Sequence, residues 1–573
     1  MKKINLSLLT KPKLTTVAFS IGVLFSTSAM AGLDDVKTIL DVLLKKGVIS
    51  QKDHDDTLNE LSSKPLDSVP PVQFVQDALG VQAKEVQKAV EYTKKDEKNG
   101  SVQPNGFGWV SADGESSIKL TSMVHFDARN IENGLTSSQD KDSASGADNF
   151  EVRRARIGVN GTFWKNVDFE VLTNLVGSSP NLIHRAYVNY SYNKDAQIRI
   201  GRFKQPFSLE EQTSANAIDF MERSYGNQMV ASHRNGAMVF GEPTKGFTYA
   251  LSAYQDGFNE LSNTNQLGTL GIGRATVNLA ELRGISDAVI HLGAAVDMGK
   301  YEVIPTTSTD SGSAASSVTR ATVLTFRTEN RGLANAYRAQ IAGDTVTAGY
   351  GVQGNDAADI SKNLKGIELA LATGPFKFQT EYFDSRYSAS SLNYCIADST
   401  TIDEACTKGS YGTSSYDLRA KAAYYELVYN LTGESWANSY KSGAFTTIKP
   451  KANFSLGQGG GWGAWQLALR YSNYSVDEPS SFTRSASSTT GVSTGKSKIN
   501  NQNGWTNRVE NAESANTWTL GLNWLLNPNA RIMLNYADTH FGRPVYYLTT
   551  SVPSSLGSTS REQVISVRTQ LNF

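Results

Sequence analysis

The sequence predicts an all-β transmembrane barrel of antiparallel strands, entered through a short helical segment. Three observations point there. Short segments alternate apolar and polar residues with a period of two, aromatic residues end the apolar stripes, and no apolar run behind the leader is long enough for a membrane-crossing helix. The alternation is plainest in residues 149–241. There Ala155, Ile157, Val159 and Phe163 share one strand face, and Arg154, Arg156, Asn160 and Thr162 share the other. A soluble sandwich would bury the apolar face on a second sheet. A barrel turns it to lipid and points the arginines into a water-filled lumen.

Residues 1–31 read as a secretory signal peptide: lysines, the apolar stretch TTVAFSIGVLF, and the small-residue site Ala29-Met30-Ala31. Cleavage before Gly32 is expected, which excludes a cytoplasmic enzyme. The leader takes four lysines with it. The mature chain then holds 51 basic and 55 acidic groups, so any field that attracts anions must be local. Residues 32–99 change to a helical period, with Val36, Ile39, Leu40, Leu43 and Leu44 on one stripe and Gly47 placed to end it. Ser50 and Asp53 mark a second start, Pro65, Pro70 and Pro71 break the pattern, and a last helix is expected over 83–95. Helices this short do not bury their stripe alone. The segment reads as a coiled-coil periplasmic collar between protomers, with a packing stub as the alternative.

The barrel domain is expected over 106–573. In SSIKLTSMVHFDAR, Ile118, Leu120, Val124, Phe126 and Ala128 oppose Lys119, Thr121, His125, Asp127 and Arg129. Trp465, Leu467, Leu469 and Tyr471 oppose Gln466 and Arg470, and Trp518, Leu520, Leu522 and Trp524 oppose Thr517, Thr519 and Asn523. Aromatic rings at both ends of a stripe suit the two headgroup levels of a bilayer, so membrane lipid is an expected partner. Residues 305–320 and 478–505 read as long polar loops, set against short turns on the other side. The closing VISVRTQLNF alternates to a terminal Phe573, a mark of outer-membrane barrels.

Cys395 and Cys406 lie in the polar stretch YCIADSTTIDEACTK, and in an exported chain they predict a loop disulfide, with two free thiols as the alternative. The six histidines are scattered along the chain, so neither a metal site nor a cofactor is expected. His125 and Asp127 share a strand face, but no nucleophile context accompanies them, and catalysis is not expected. Nor is a nucleic-acid partner. A barrel-anchored adhesin is the distant alternative.

Several stretches resemble the phosphate-selective porin O/P family: the paired arginines of RRARIGVNGTF, GRFKQPFSLEEQTSANAIDFMERS, and LTGE at 431–434 with GAFTTIKP at 443–450. GAWQLALRYS, TLGLNWLLNPNARIMLNYA and the closing strand add to the likeness. The resemblance implies a homotrimer of 16-stranded barrels in the outer membrane. Inward-folded loops, here near 203–235, would form a constriction whose arginines and lysines pass small inorganic anions such as phosphate. Residue by residue it assigns anion contact to Arg153, Arg154 and Arg223. Neighbours on an ideal strand face opposite ways, so Arg153 reaches the lumen only at a strand end or a bulge. Two family lysines are replaced by Glu211 and Asn216, an arginine by Met123, and a carboxylate by His184. Alternation adds Arg156 and Arg199 to Arg154, and loop position adds Lys204 and Arg234 to Arg223. For each of these the alternative is a wall salt bridge to Glu170, Glu210 or Glu211. A general, weakly selective diffusion pore is the second functional reading.

Overall fold

The computed structural model describes residues 102–103, 106–132, 149–176, 182–256, 268–303, 306–309, 317–333, 336–343, 358–395, 411–457, 460–477, 483–484, 505–546 and 558–573, with five helical residues between 44 and 55. The leader, most of the 32–99 segment and Cys406 lie outside the described residues, and so does the disulfide expectation. The chain divides into two units, Met1–Lys119 and Leu120–Phe573. In the first, Val102–Gln103 pairs with Gly106–Val110, which in turn pairs with Ser117–Lys119.

Sixteen antiparallel strands form the barrel wall. They are β1 (Ser117–Glu132), β2 (Asn149–Phe163), β3 (Val167–Asn174), β4 (Ile183–Asn193), β5 (Ala196–Lys204), β6 (His233–Thr244), β7 (Phe247–Asp256) and β8 (Gly268–Asn278), followed by β9 (Ala288–Val303), β10 (Ala358–Thr373), β11 (Phe376–Cys395), β12 (Tyr411–Asn430), β13 (Ala464–Asp477), β14 (Ser514–Asn527), β15 (Ala530–Tyr546) and β16 (Ser558–Asn572). β16 closes on β1 with Val567 opposite Ala128 and Asn572 opposite Met123, and Ser122 N donates to the Phe573 carbonyl at 2.9 Å. A closed sheet leaves no edge with unpaired backbone groups, the condition for lying in hydrocarbon.

The pleat sorts the side chains as the alternation predicts. Leu467, Leu469, Trp518, Leu520, Leu534 and Ile565 are exposed outward, while Gln466, Arg470, Thr517, Thr519 and Arg568 are buried inward. Buried polar groups such as Arg470 and Arg568 are tolerated there because chain folded into the lumen supplies their partners. Residues 205–232, between β5 and β6, cross the interior. Residues 431–463, between β12 and β13, turn in from the side of the short turns and bury Trp436, Phe445 and Ile448 against β9, β10 and β12–β14. Residues 317–333 and 336–343 come in from the side of the long connections and bury Phe326 and Tyr337 beside Tyr225 and Tyr474. One expectation changes here. The stretches read as polar loops contribute to a second sheet of five strands, Thr306–Thr309, Ser317–Phe326, Tyr337–Gly343, Trp505–Asn511 and Thr483–Arg484.

Candidate functional site

After Lys204 the chain leaves the wall and is fastened across the lumen. Ser208 takes a left-handed backbone, φ 68°, and turns the chain into the short helix Leu209–Gln212. Its hydroxyl accepts from Glu211 N at 3.1 Å and donates to Glu381 of β11. The same carboxylate accepts from Leu209 N at 2.9 Å and Glu210 N at 2.8 Å, so three loop donors converge on one wall residue. Phe207 seats its ring over Gly366, where an added Cβ would lie 2.8 Å from it; a side chain at 366 would push the loop off the wall.

Farther along, Glu210 accepts from Ser224 N and Oγ and pairs with Arg470 of β13 at 3.2 Å. Asp219 pairs with Lys377 of β11, and Arg531 of β15 donates to the Ile218 carbonyl at 2.9 Å. Glu222 accepts from Arg153 Nε at 2.7 Å and from Arg568 of β16 at 3.1 Å, with Arg129 at 3.7 Å and Arg154 at 3.9 Å. Burial alone would raise the Glu222 carboxyl, but Arg153, Arg154 and Arg568 hold it well below the usual carboxylate range. Glu211 is also held low: burial opposes this, and Arg223 and Lys204 overcome it.

Between this loop and the wall of β1–β8 lies a cavity of about 630 Å³, lined by nine arginine or lysine side chains against two carboxylates, Glu211 and Glu242. Of the residues expected at the site, Arg153, Arg154, Arg156, Arg199, Lys204 and Arg223 line it, and Arg234 does not; Nη1 of Arg234 donates to its neighbour's carbonyl at 3.0 Å. The cations differ in what already holds them. Arg153 is taken by Glu222. Lys204 Nζ donates to the Glu211 carbonyl at 2.6 Å, and Arg223 donates to the carbonyls of Glu210 at 3.1 Å and Thr213 at 2.8 Å, so both brace the loop as well as facing the cavity.

Arg154, Arg156 and Arg199 are freer. Arg154 meets His125 Nδ1 at 3.3 Å, and Arg156 donates to Asn174 Oδ1 at 2.8 Å. Arg199 lies 4.3 Å from the Tyr187 ring centroid and 4.8 Å from that of Phe240. Among the described residues neither Arg156 nor Arg199 has a carboxylate ion pair. Arg154 shares Glu222 at 3.9 Å with other arginines, so these three planar guanidinium groups turn donors toward the cavity with little carboxylate beside them.

Departures from strict alternation bring in residues that pattern reading misplaces. Arg153 and Arg154 are neighbours, and both reach inward, to Glu222 and to His125, so the two-residue period is interrupted between them. At His184 the register shows the break directly: Leu172 pairs with Arg185 and Thr173 with Ile183, leaving His184 as the extra residue of a bulge. His184 and Arg185 therefore both line the cavity. The histidines, scattered in sequence, are not all apart in space, since the His184 and His233 rings meet at 3.9 Å between centroids, tilted by 40°.

Arg185, Arg274 and Arg327 are lining cations that sequence reading misses. Arg185 is paired with Glu170 at 3.0 Å, and Arg274 with Glu368 at 2.7 Å. Arg274 shares its inward face with the buried Leu270 and Ile272, so the apolar side of β8 points to the interior, opposite to the general rule. No parity argument finds a pore arginine on that face. Arg327 sits at the end of the segment 317–326, beyond any barrel strand, and has no sequence signal.

Known proteins bear on the arrangement as follows. The sequence profile described as "Phosphate-selective porin O and P" matches residues 118–573. Porin O of Pseudomonas aeruginosa is 24% identical over 443 residues, covering 75% of this chain and 84% of its own. Among solved structures, OmpT, an outer membrane protein of Vibrio cholerae, aligns at a TM-score of 0.42 and 8% identity over 80% of this chain and 98% of its own. The outer membrane channel DcaP of Acinetobacter baumannii aligns at 0.41 and 11% over 82% and 99%, and an anion-selective porin from Comamonas acidovorans at 0.40 and 11% over 80% and 100%. With the profile spanning the wall from its first strand to its last residue, the chain belongs to the phosphate-selective porin O and P family.

Proposed function

We propose that this outer-membrane porin passes small anions, phosphate among them, through the cavity between the inward loop and β1–β8. Arg154, Arg156 and Arg199 would be the principal oxyanion contacts, with Lys204 and Arg223 on the loop side. The observation that supports this most is the imbalance of the lining, nine cations against two carboxylates. Such a field concentrates anions and repels cations, and arginine adds paired donors matched to phosphate oxygens. The wider reading is a homotrimer, exported by the 1–31 leader, with the 32–99 segment as a periplasmic collar.

The test is single-channel conductance in chloride while phosphate is titrated in, on the wild type and on Arg154→Ala and Arg156→Ala. Phosphate is expected to block the chloride current, and each substitution to weaken the block about tenfold, the worth of one charge-assisted bond. Absence of block, or a reversal potential showing cation preference, would overturn the assignment. A general diffusion pore is favoured by one observation: Glu222, Glu170 and Glu368 neutralise Arg153, Arg185 and Arg274. A near-zero reversal potential in a salt gradient would decide for it.

A further inference from the structure

The lining of the cavity changes in kind along its length. Its cations crowd at the end nearest the inward loop, where Arg153, Arg154, Arg156, Lys204 and Arg223 stand. The register of β5 on β6 leads to the other end: Lys204 faces His233, Arg199 faces Met238 and Gln197 faces Phe240. From His233 to Glu242 the cavity follows β6 for about 30 Å of strand, at ~3.3 Å per residue. A phosphate ion fills a small part of that length. The volume of about 630 Å³ is in the range of sites that take whole organic molecules.

Past Arg199 the lining turns mostly neutral and polar, with Gln197, Phe240, Glu242, Thr248 and Ser442 meeting there. The Arg199 guanidinium packs on the rings of Tyr187 and Phe240, and its Nε has no hydrogen-bond partner, so its edge is left for a ligand. Gln197 gives its side-chain oxygen to Asn189 Nδ2 at 3.0 Å, which leaves its amide nitrogen as a donor. Ser442 comes from a far part of the chain. It stands at the tip of the hairpin that pairs Tyr440 with Phe445, at φ 46°, followed by Gly443 at φ 79°. Arg274, itself paired with Glu368, fixes that tip by donating to the Gly443 carbonyl at 3.1 Å. Glu242 accepts from Gly246 N at 3.2 Å and from Ser442 Oγ at 2.9 Å, and among the described residues it has no ion pair. A carboxylate without a cation repels a bare anion, so inorganic phosphate alone does not account for it.

We propose that this end of the cavity selects sugar phosphates over inorganic phosphate, an inference that rests on the anion reading of the same cavity. Arg199 holds the phosphate by its edge. Glu242 and Ser442 Oγ accept from the sugar hydroxyls, the Gln197 amide donates to them, and the half-buried Phe240 offers the ring an apolar contact. A carboxylate, a hydroxyl and an amide together match hydroxyl groups, which both donate and accept. An ammonium group suits the place less, since Arg274 binds the carbonyl next to Ser442.

Block of the single-channel chloride current tests this, with glucose 6-phosphate, inorganic phosphate and phosphoethanolamine titrated in turn. The sugar phosphate is expected to block at about a tenfold lower concentration than inorganic phosphate, the worth of one charge-assisted hydrogen bond. Glu242→Ala separates recognition from charge. By electrostatics alone, loss of a carboxylate tightens both anions; here inorganic phosphate is expected to tighten and the sugar phosphate to weaken. Ser442→Gly suits the left-handed backbone and leaves the charge alone, and it is expected to cut the preference as well. It carries the test should Glu242→Ala lose the heat-dependent gel migration of a folded barrel. Equal block by the two phosphates, stronger block by phosphoethanolamine than by the sugar phosphate, or a preference untouched by Ser442→Gly would each overturn the proposal and leave the anion reading in place. So would tightening of both anions in Glu242→Ala. Absence of block by any of the three, with no anion preference in the reversal potential, would remove the anion reading along with it.

Discussion

Glu222 is a single buried carboxylate within 4 Å of four arginines, and it sets the balance of charge beside the cavity. Removing it leaves guanidinium groups buried without their counter-ion, a cost of about 3–5 kcal/mol. Glu222→Gln is therefore expected to lower the temperature at which the folded gel band converts to the unfolded one. It is also expected to tighten phosphate block of the chloride current, because Arg153 and Arg154 lose their screen. A destabilised variant with unaltered block would separate the loop's fastening from its electrostatics. The pH dependence has a definite sign. The folded Glu222 carboxyl is held below its ordinary range, so its stabilising contribution is full above that range and is lost as pH falls through the depressed value. Thermal conversion followed against pH is expected to be flat from about pH 8 to about pH 5 on this account, with loss only in stronger acid.

The inward loop is an element held by polar contacts and apolar seats that alternate along its length. Glu381 collects Ser208 Oγ, Leu209 N and Glu210 N, and Phe220 packs beside Trp436 and Phe445 of the other inward segment. Glu381→Ala leaves two backbone donors and the hydroxyls of Ser208 and Tyr424 without this acceptor in a buried site, at a cost of about 1–3 kcal/mol for each donor not satisfied by water. Single-channel recordings of that variant are expected to show a larger mean conductance with added open-channel noise, while the barrel keeps its heat-dependent migration. A conductance equal to that of the wild type would mean that the arms through Glu210, Asp219 and Glu222 hold the loop unaided. The three inward segments also explain why the cavity lies to one side of the lumen. Two of them fill the interior against β7–β15, and the cavity that remains runs along β1–β8.

For the whole molecule, the near-neutral chain and the cationic cavity are consistent because selectivity is a local field. Such a field is screened by salt over about 30 Å at 0.01 M and only about 3 Å at 1 M. Anion-to-cation permeability from reversal potentials is therefore expected to be highest in dilute salt and to fall steadily toward 1 M. A ratio independent of ionic strength would place selectivity in direct contacts alone. The outward face follows from the same closure: exposed leucines, tryptophans and tyrosines form the stripe.

The sequence by itself determined the wall. A period of two is a local property, so the inward and outward faces of β1, β13, β14 and β16 were legible residue by residue, as were the export leader as an expectation and the family by its motifs. It also pointed to most of the cavity's cations, because Arg154, Arg156 and Arg199 sit on the polar side of otherwise regular strands. Tertiary structure alone decided which charges are left over. Whether an arginine is free or taken depends on carboxylates far away in the chain, as with Arg470 and Glu210 or Arg274 and Glu368, and those meetings exist only once the sheet closes and the loops fold in. The bulge at His184, the interrupted period at Arg153–Arg154 and the reversed face of β8 have the same origin. Inward-packed chain rewards an apolar or doubled inward residue that the strand's own period forbids.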